Sequence, residues 1–257
     1  MASLKSRFSS QIHAWTIPTT DFVQFNTTRA PFNDIRVRQA INLALDRRHV
    51  AQLYGGSDLA TPTCQILPPG LPGYRPYCPY PHDMARARTL VAESGTKGQR
   101  VTLWSWTDDP TISPAVARYY GSVLRELGYR TSIRLVSHAY LANPPSRVFK
   151  QIQLIPAAWG DPPASFFTTW FTCSGANTHG DFCDHRLDRV ITHAQALETT
   201  RPRAANAAWA RLDHELVDRA IWAPVVNEHG LDFVSAHVHN YQFHPYWGLI
   251  ADQLSLR

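Results

Sequence analysis

The sequence has no apolar run approaching the roughly 18 residues that a bilayer-spanning helix needs. Its opening residues, MASLKSRF, are not followed by an apolar segment, so no secretion signal is recognisable. Lysine and arginine outnumber aspartate and glutamate by only 25 to 20, and they are scattered along the chain. This mild excess disfavours a nucleic-acid-binding surface, and nucleic acid is not expected as a partner.

The motifs of common catalytic sites are also missing. His214-Glu215 lacks the second histidine of a zinc-binding HExxH motif, and neither a GxSxG motif nor a Gly-rich phosphate loop occurs. We therefore expect no catalytic residue, metal or cofactor. A metal-dependent hydrolase stays open as an alternative because there are 12 histidines, the closest groupings being His237 with His239, and His179 with His185 around Cys183.

What the sequence does contain is typical of a folded globular protein. Hydrophobic residues make up 44% of the chain, aromatic residues 11% and charged residues 18%, which argues against disorder. With 257 residues, the chain can bury the core of one large domain or of two modest ones.

The four cysteines form two local pairs. Cys64 and Cys78 flank a loop rich in proline, glycine and tyrosine, and Cys173 and Cys183 flank a polar loop. Neither pair has the spacing of a zinc knuckle. Two disulfides are the favoured interpretation, each stabilising by about 3 kcal/mol and indicating an oxidising compartment. Four unrelated buried thiols are the alternative.

Hydrophobic spacing predicts several helices. In residues 31–46, one helical face carries Val37, Ala40, Ile41, Ala44 and Leu45. Asn33 or Asp34 can cap this helix, and Asp46 can cap a second helix over residues 47–53. Further helices are predicted at residues 83–94, 115–127, 187–197 and 204–220.

Strands are predicted between these helices, which indicates an α/β fold. They lie at residues 22–26, 101–106, 129–136 and 151–155. Residues 223–227 and 231–235 are predicted to form a hairpin around Glu228-His229-Gly230. Residues 1–20 show no periodicity and are expected to be an irregular lead-in.

Several of these segments, in order, resemble the family 5 extracellular solute-binding proteins, which include oligopeptide-, dipeptide- and nickel-binding members. The most specific segment is NTTRAPFNDIRVRQAINLALD at residues 26–46. Residues 80–95, YPHDMARARTLVAESG, residues 124–128, LRELG, and the tail from Trp209 to Leu254 also match the family pattern. The cysteine contexts PTC and FCD resemble an actinobacterial branch.

The resemblance implies an α/β fold of the type II (cluster C) periplasmic-binding-protein kind, with a mixed sheet flanked by helices. Only the second half of such a protein is matched, so we expect a distal ligand-binding lobe over residues 21–235. Residues 236–257 are expected to be a crossover segment that returns to a first lobe, which would lie upstream or on a separate chain. The sequence would then be a truncated or split version.

The same resemblance implies the candidate ligand-binding residues. In relatives, a turn like Trp159-Gly160-Asp161-Pro162-Pro163 places an aromatic and an aspartate at the cleft, where they can bind a ligand ammonium. Here that turn is shorter, so Asp161 could equally cap the Pro-Pro turn. Asn177 and Trp106 are two further candidates, each with a purely structural alternative. Asn177 could be a turn residue, and Trp106, which shares a strand face with Trp104, could belong to the core.

The expected function is therefore the substrate-binding component of an ABC importer, one lobe of it, for peptides or similar small polar solutes. The expected partners are that solute and an ABC permease, together with a separate chain supplying the first lobe if that lobe does not lie upstream. The expected location is extracytoplasmic. The alternatives are the metal-dependent hydrolase and a non-binding remnant that self-associates through its exposed cleft face.

Overall fold

A mixed seven-stranded sheet organises the part of the chain that the structure describes. The computed structural model describes residues 6–107, 113–137, 151–159, 162–175, 182–244 and 248–256. The strand order is β1-β7-β2-β6-β4-β5, with β3 also paired to β7. The strands are β1 (Ile12–Thr16), β2 (Thr19–Phe25), β3 (Ala60–Pro62), β4 (Arg100–Trp106), β5 (Arg130–Val136), β6 (Ile152–Trp159) and β7 (Trp222–Phe233). Four two-residue strands follow: β8 (Val238–His239), β9 (Phe243–His244), β10 (Gly248–Leu249) and β11 (Ser255–Leu256).

Seven α-helices accompany these strands in the described ranges. They are α1 (Ile35–Ala44), α2 (Arg47–Leu53), α3 (Met84–Ser94), α4 (Ser113–Glu126), α5 (Pro163–Phe171), α6 (His185–Leu197) and α7 (Pro202–Asp218). The side chain of Asp46 accepts hydrogen bonds from two backbone amides of α2, as the sequence predicts for a helix cap. Within the ranges given above, none of the helices is both long enough and apolar enough to cross a membrane.

An aromatic cluster packs α5 onto the sheet. Phe22 of β2 and Trp222 of β7 are stacked, with 3.4 Å between their ring centroids. Trp170 of α5 meets both rings edge-on, at 5.4 and 5.3 Å. The helix was not predicted, because its sequence begins Pro162-Pro163 and carries its apolar residues in aromatic pairs. Its burial shows that packing, more than local spacing, holds it in place.

The predicted hairpin at residues 223–235 is wrong: β7 runs unbroken from Trp222 to Phe233. Gly230, which suggested a turn, lies opposite Trp15 of β1 in the antiparallel pair. A Cβ atom at Gly230 would collide with the indole of Trp15. The glycine therefore makes room for a neighbouring ring and does not reverse the chain.

The expected irregular lead-in over residues 1–20 is also wrong in part. Residues 12–16 form β1, which pairs with residues 229–233 of β7. The next strand, β2, already begins at Thr19. The side chains of β1 are only half-buried or exposed, so the strand carries little hydrophobic signal. Its partner lies more than 200 positions away in the sequence, where local patterns cannot reveal it.

Candidate functional site

Three strands of the sheet direct their carboxyl ends toward the same edge. β4 runs parallel to both β5 and β6, so Trp106, Val136 and Trp159 mark the same edge. β2 is antiparallel to β6 and starts there, with Thr19 opposite Trp159. We call this the carboxyl edge. In open α/β sheets, ligands bind outside the carboxyl ends of the strands, so this edge is the candidate site.

The structure brings two of the predicted ligand residues to the carboxyl edge by their backbone positions. Trp106 ends β4 and Trp159 ends the neighbouring strand β6. Because Trp104 lies opposite Gln153, Trp159 extends about four residues beyond the level of Trp106, roughly 13 Å along the strand. Asp161 and Asn177 lie outside the described residues, as do the side chains of both tryptophans, so all four roles stay predictions.

The flanks of the Asn177 loop lie near the opposite edge. Asp184 accepts a hydrogen bond from Nη1 of Arg219 at 2.7 Å, and the guanidinium of Arg219 covers the ring of Phe182 at 5.2 Å. Arg219 is three residues before the start of β7, at the amino end of that strand. The structure therefore does not join these flanks to the carboxyl edge.

Buried polar groups brace the start of β2 at the carboxyl edge. Nδ2 of Asn227 donates to the carbonyl of Thr19 at 2.9 Å and to Oγ1 of Thr20 at 3.0 Å. The hydroxyl of Tyr54 donates to the carboxylate of Asp21. Burial raises the pKa of Tyr54 well above its usual value, and the neighbouring carboxylate adds to this shift. Sequence reasoning missed these residues because they meet only when β2, β7 and α2 are assembled.

Beyond this edge, β1 and the end of β7 continue as a two-stranded ribbon, here called the β1–β7 ribbon (Ile12–Thr16 with residues 229–233). The C-terminal segment returns to it. The rings of His13 and Tyr241 stack at 4.0 Å, and the hydroxyl of Tyr241 donates to Asp232 at 2.8 Å. Burial and this carboxylate raise the pKa of Tyr241 to about 12. The expected division at residue 236 stays a prediction.

The segment at residues 26–46 that carries the resemblance has a structural role, as does Arg47 directly after it. Nε of Arg47 donates to the carbonyl of Pro224 at 2.8 Å, and Nη1 donates to the carbonyls of Asn42 and Tyr80 at 2.9 and 3.1 Å. Burial lowers the pKa of Arg47 to about 10. Arg38 similarly donates to the carbonyl of Ala220 at 3.0 Å. These guanidiniums hold the start of β7 and do not form a ligand site.

Both predicted cysteine pairs are disulfide-bonded, Cys64 with Cys78 and Cys173 with Cys183. Asp213 of α7 fixes the first loop. Its carboxylate accepts hydrogen bonds from Nε2 of Gln65 at 2.7 Å and from the amides of Ile66 and Leu67 at 3.2 and 3.1 Å. Burial raises the pKa of Asp213 to about 6, against the lowering effect of these donors. Asp213 was not singled out from the sequence, although an aspartate on the apolar face of α7 could have indicated that it holds a neighbouring loop.

The described residues give the metal-hydrolase alternative little support. In the ranges that the structure covers, the only group of three histidine, cysteine or carboxylate ligands close enough for one ion is Cys173, Cys183 and His185. Its two sulfurs are bonded to each other, and it is the thiolate that ligates metals.

Comparison with known proteins reveals sequence relatives. Residues 3–178 match the family described as bacterial extracellular solute-binding proteins, family 5 Middle. A probable di/tripeptide-binding protein 5 of Pseudomonas aeruginosa is 30% identical over 240 residues, which cover 88% of this chain and 44% of that protein. The glutathione-binding protein GsiB of Escherichia coli is 23% identical over 241 residues, covering 85% and 44%.

Solved structures share the fold. The substrate-binding protein CtaP of Listeria monocytogenes superposes with a TM-score of 0.86 at 17% identity, over 99% of this chain and 54% of that one. A dipeptide-binding protein from Pseudoalteromonas, in complex with Met-Leu, gives 0.79 at 22% identity, over 100% and 52%. These superpositions confirm the expected mixed α/β fold. The chain spans about half the length of the relatives that it matches.

Proposed function

Since the chain belongs to family 5 of the bacterial extracellular solute-binding proteins, we propose that it supplies the distal lobe of a peptide receptor serving an ABC importer. The observation that carries this proposal is the colinear match over 88% of the chain to a probable di/tripeptide-binding protein. Binding needs no covalent chemistry, so in this proposal the chain is not an enzyme.

The peptide would lie at the carboxyl edge of the sheet, covered by the first lobe. Asp161 would bind the ammonium of the ligand, and Trp159 would wall the pocket. Trp106 would complete the lining, as concave burial with a few placed polar groups requires. Asn177 is not assigned to this lining, because the flanks of its loop lie near the opposite edge of the sheet. Closure of the two lobes would favour the liganded state. The β1–β7 ribbon, which continues past this edge, is the natural connection to the first lobe.

The proposed location is extracytoplasmic. The family consists of extracellular proteins, and the two disulfides suit an oxidising compartment. The proposed partners are a small peptide and an ABC permease, with the first lobe supplied either by an upstream part of the same polypeptide or by a separate chain.

A chimera tests the proposal. The matched part of the P. aeruginosa di/tripeptide-binding protein would be replaced by this chain, and binding of dipeptides and tripeptides would be measured by calorimetry. We expect micromolar binding by the chimera and none by this chain alone, because one lobe offers half of the contacts. Asp161→Asn in the chimera should weaken binding about tenfold to a hundredfold, the loss of one charge-assisted hydrogen bond.

The control is Asp252→Asn, which removes an exposed carboxylate and should leave affinity unchanged. Micromolar peptide binding by the isolated chain would contradict the half-receptor proposal. A chimera that folds but binds no peptide would contradict the ligand class.

A further inference from the structure

The Cys173–Cys183 disulfide lies next to His185, whose ring could share a metal ion with the two sulfurs. Both sulfurs and one ring nitrogen of His185 lie within 4.8 Å of one another. Cys183 and His185 are exposed and Cys173 is half-buried, so reductants and ions can reach the group. The other bridge, Cys64–Cys78, has the same exposure but no such neighbour among the described residues.

Asp188 of α6 connects the two sides of this group. One carboxylate oxygen accepts from the backbone amide of Cys173 at 3.0 Å, and the other lies 3.0 Å from Nδ1 of His185. A carboxylate that engages one ring nitrogen fixes the tautomer and leaves the other nitrogen with its lone pair. Metal-binding histidines are oriented in this way, with the carboxylate behind them.

We propose that opening the bridge converts Cys173, Cys183 and His185 into a binding site for a soft divalent cation such as Zn²⁺. Two electrons and two protons from a dithiol reductant turn the disulfide into two thiols, and the cation then displaces both thiol protons. Two sulfurs and one nitrogen leave the fourth tetrahedral position to water.

The spacing of the ligand atoms must change when the bridge opens, because the two bonded sulfurs have to move apart. In a tetrahedral zinc site the ligand atoms lie about 3.3–3.8 Å apart, which follows from bond lengths of about 2.3 Å to sulfur and 2.0 Å to nitrogen. The three atoms are already within 4.8 Å. Soft thiolates select zinc-like cations over Mg²⁺ and Ca²⁺. This site is independent of the peptide-binding proposal, since it lies away from the carboxyl edge.

Cadmium titration of the whole chain tests the inference, because Cd²⁺–thiolate bonds absorb in the ultraviolet. After reduction with a phosphine, we expect one tight Cd²⁺ per chain in a Cys64→Ser/Cys78→Ser variant, which keeps only the second pair. The matched variant Cys173→Ser/Cys183→Ser keeps only the first pair and should bind at least about tenfold more weakly.

His185→Ala decides the role of the histidine, and this exposed substitution leaves the fold intact even if a cysteine variant does not fold. In the reduced full-length chain, we expect His185→Ala to bind its tight Cd²⁺ ion about tenfold or more weakly than the parent does. Asp188→Asn should weaken the same Cd²⁺ binding about tenfold. Equal Cd²⁺ affinity of His185→Ala and its parent would overturn the inference. Binding of equal strength by the oxidised chain, or by both cysteine pairs, would overturn it as well.

Discussion

Replacing Asp213 with asparagine should remove a pH dependence of the protein's stability. Asp213 is fully buried, and its pKa is raised to about 6 by burial, from an ordinary value of 3.8. The unfolded chain therefore loses this proton at a lower pH than the folded chain. Protonation favours the folded state, so stability falls as the pH rises from about 4 to about 6 and is then constant.

The size of this effect follows from the shift. Each pKa unit corresponds to about 1.4 kcal/mol, so a shift of about two units lowers the free energy of unfolding by about 3 kcal/mol above pH 6. The asparagine side chain of the Asp213→Asn variant has no titratable group and escapes this loss at every pH.

The substitution also has a cost. Nε2 of Gln65 donates to Oδ2 of Asp213 and to the carbonyl of Arg75, while its Oε1 accepts from the amide of Tyr77. Gln65 therefore cannot turn its amide round, and the new NH₂ group meets a donor. A buried donor left unpaired costs about 1–3 kcal/mol at all pH values.

Urea unfolding of Asp213→Asn and the parent, at about pH 4 and pH 7.5 with both disulfides intact, measures the balance. We expect the variant to be less stable at pH 4 and about equal at pH 7.5, a change of about 2–3 kcal/mol in the difference. Asp252→Asn, at an exposed carboxylate, controls for loss of charge. A difference between variant and parent that stays constant with pH would refute the reasoning.

Three further predictions concern other parts of the fold. Arg47→Met leaves the carbonyl oxygens that Arg47 binds without their hydrogen-bond donor and should lower the free energy of unfolding in urea by about 3 kcal/mol or more. An unchanged urea midpoint would show that these hydrogen bonds contribute nothing to stability. Gly230→Ala pushes against Trp15 and should cost about 1–3 kcal/mol, with faster amide exchange in β1. Exchange confined to other strands would contradict that. Cys64→Ser/Cys78→Ser should cost about 3 kcal/mol, visible as a lower melting temperature, whereas an unaltered one would show that Asp213 alone holds the loop.

The sequence was informative wherever the structure depends on neighbours along the chain. The helix α2 was predicted with its true bounds because Asp46 supplies the cap and two glycines follow the helix. The two disulfides were predicted because each joins cysteines across a short loop. Local spacing carries both signals, since both depend on atoms close in the sequence.

The sequence failed where distant residues decide the outcome. Glu228-His229-Gly230 has the composition of a turn, yet Trp15 packs across the glycine and keeps β7 extended. For the site, strand order places Trp106 and Trp159 at one edge, which no local pattern could show. The resemblance supplied Asp161 and Asn177, whose roles stay predictions because both lie outside the described residues.

The position of β2 has a consequence for how this polypeptide is made. Every residue of β2 is buried, and it lies between β6, which begins at Ile152, and β7, which begins at Trp222. During synthesis β2 emerges before β6 and β7, so this buried strand lacks one of its two neighbours until residues 222–226 have also been made. Strands with unpaired backbone N–H and C=O groups are prone to aggregate, and long-range strand pairing is slow. A polypeptide that stops before residue 222 would therefore leave β2 without its second neighbour in the sheet.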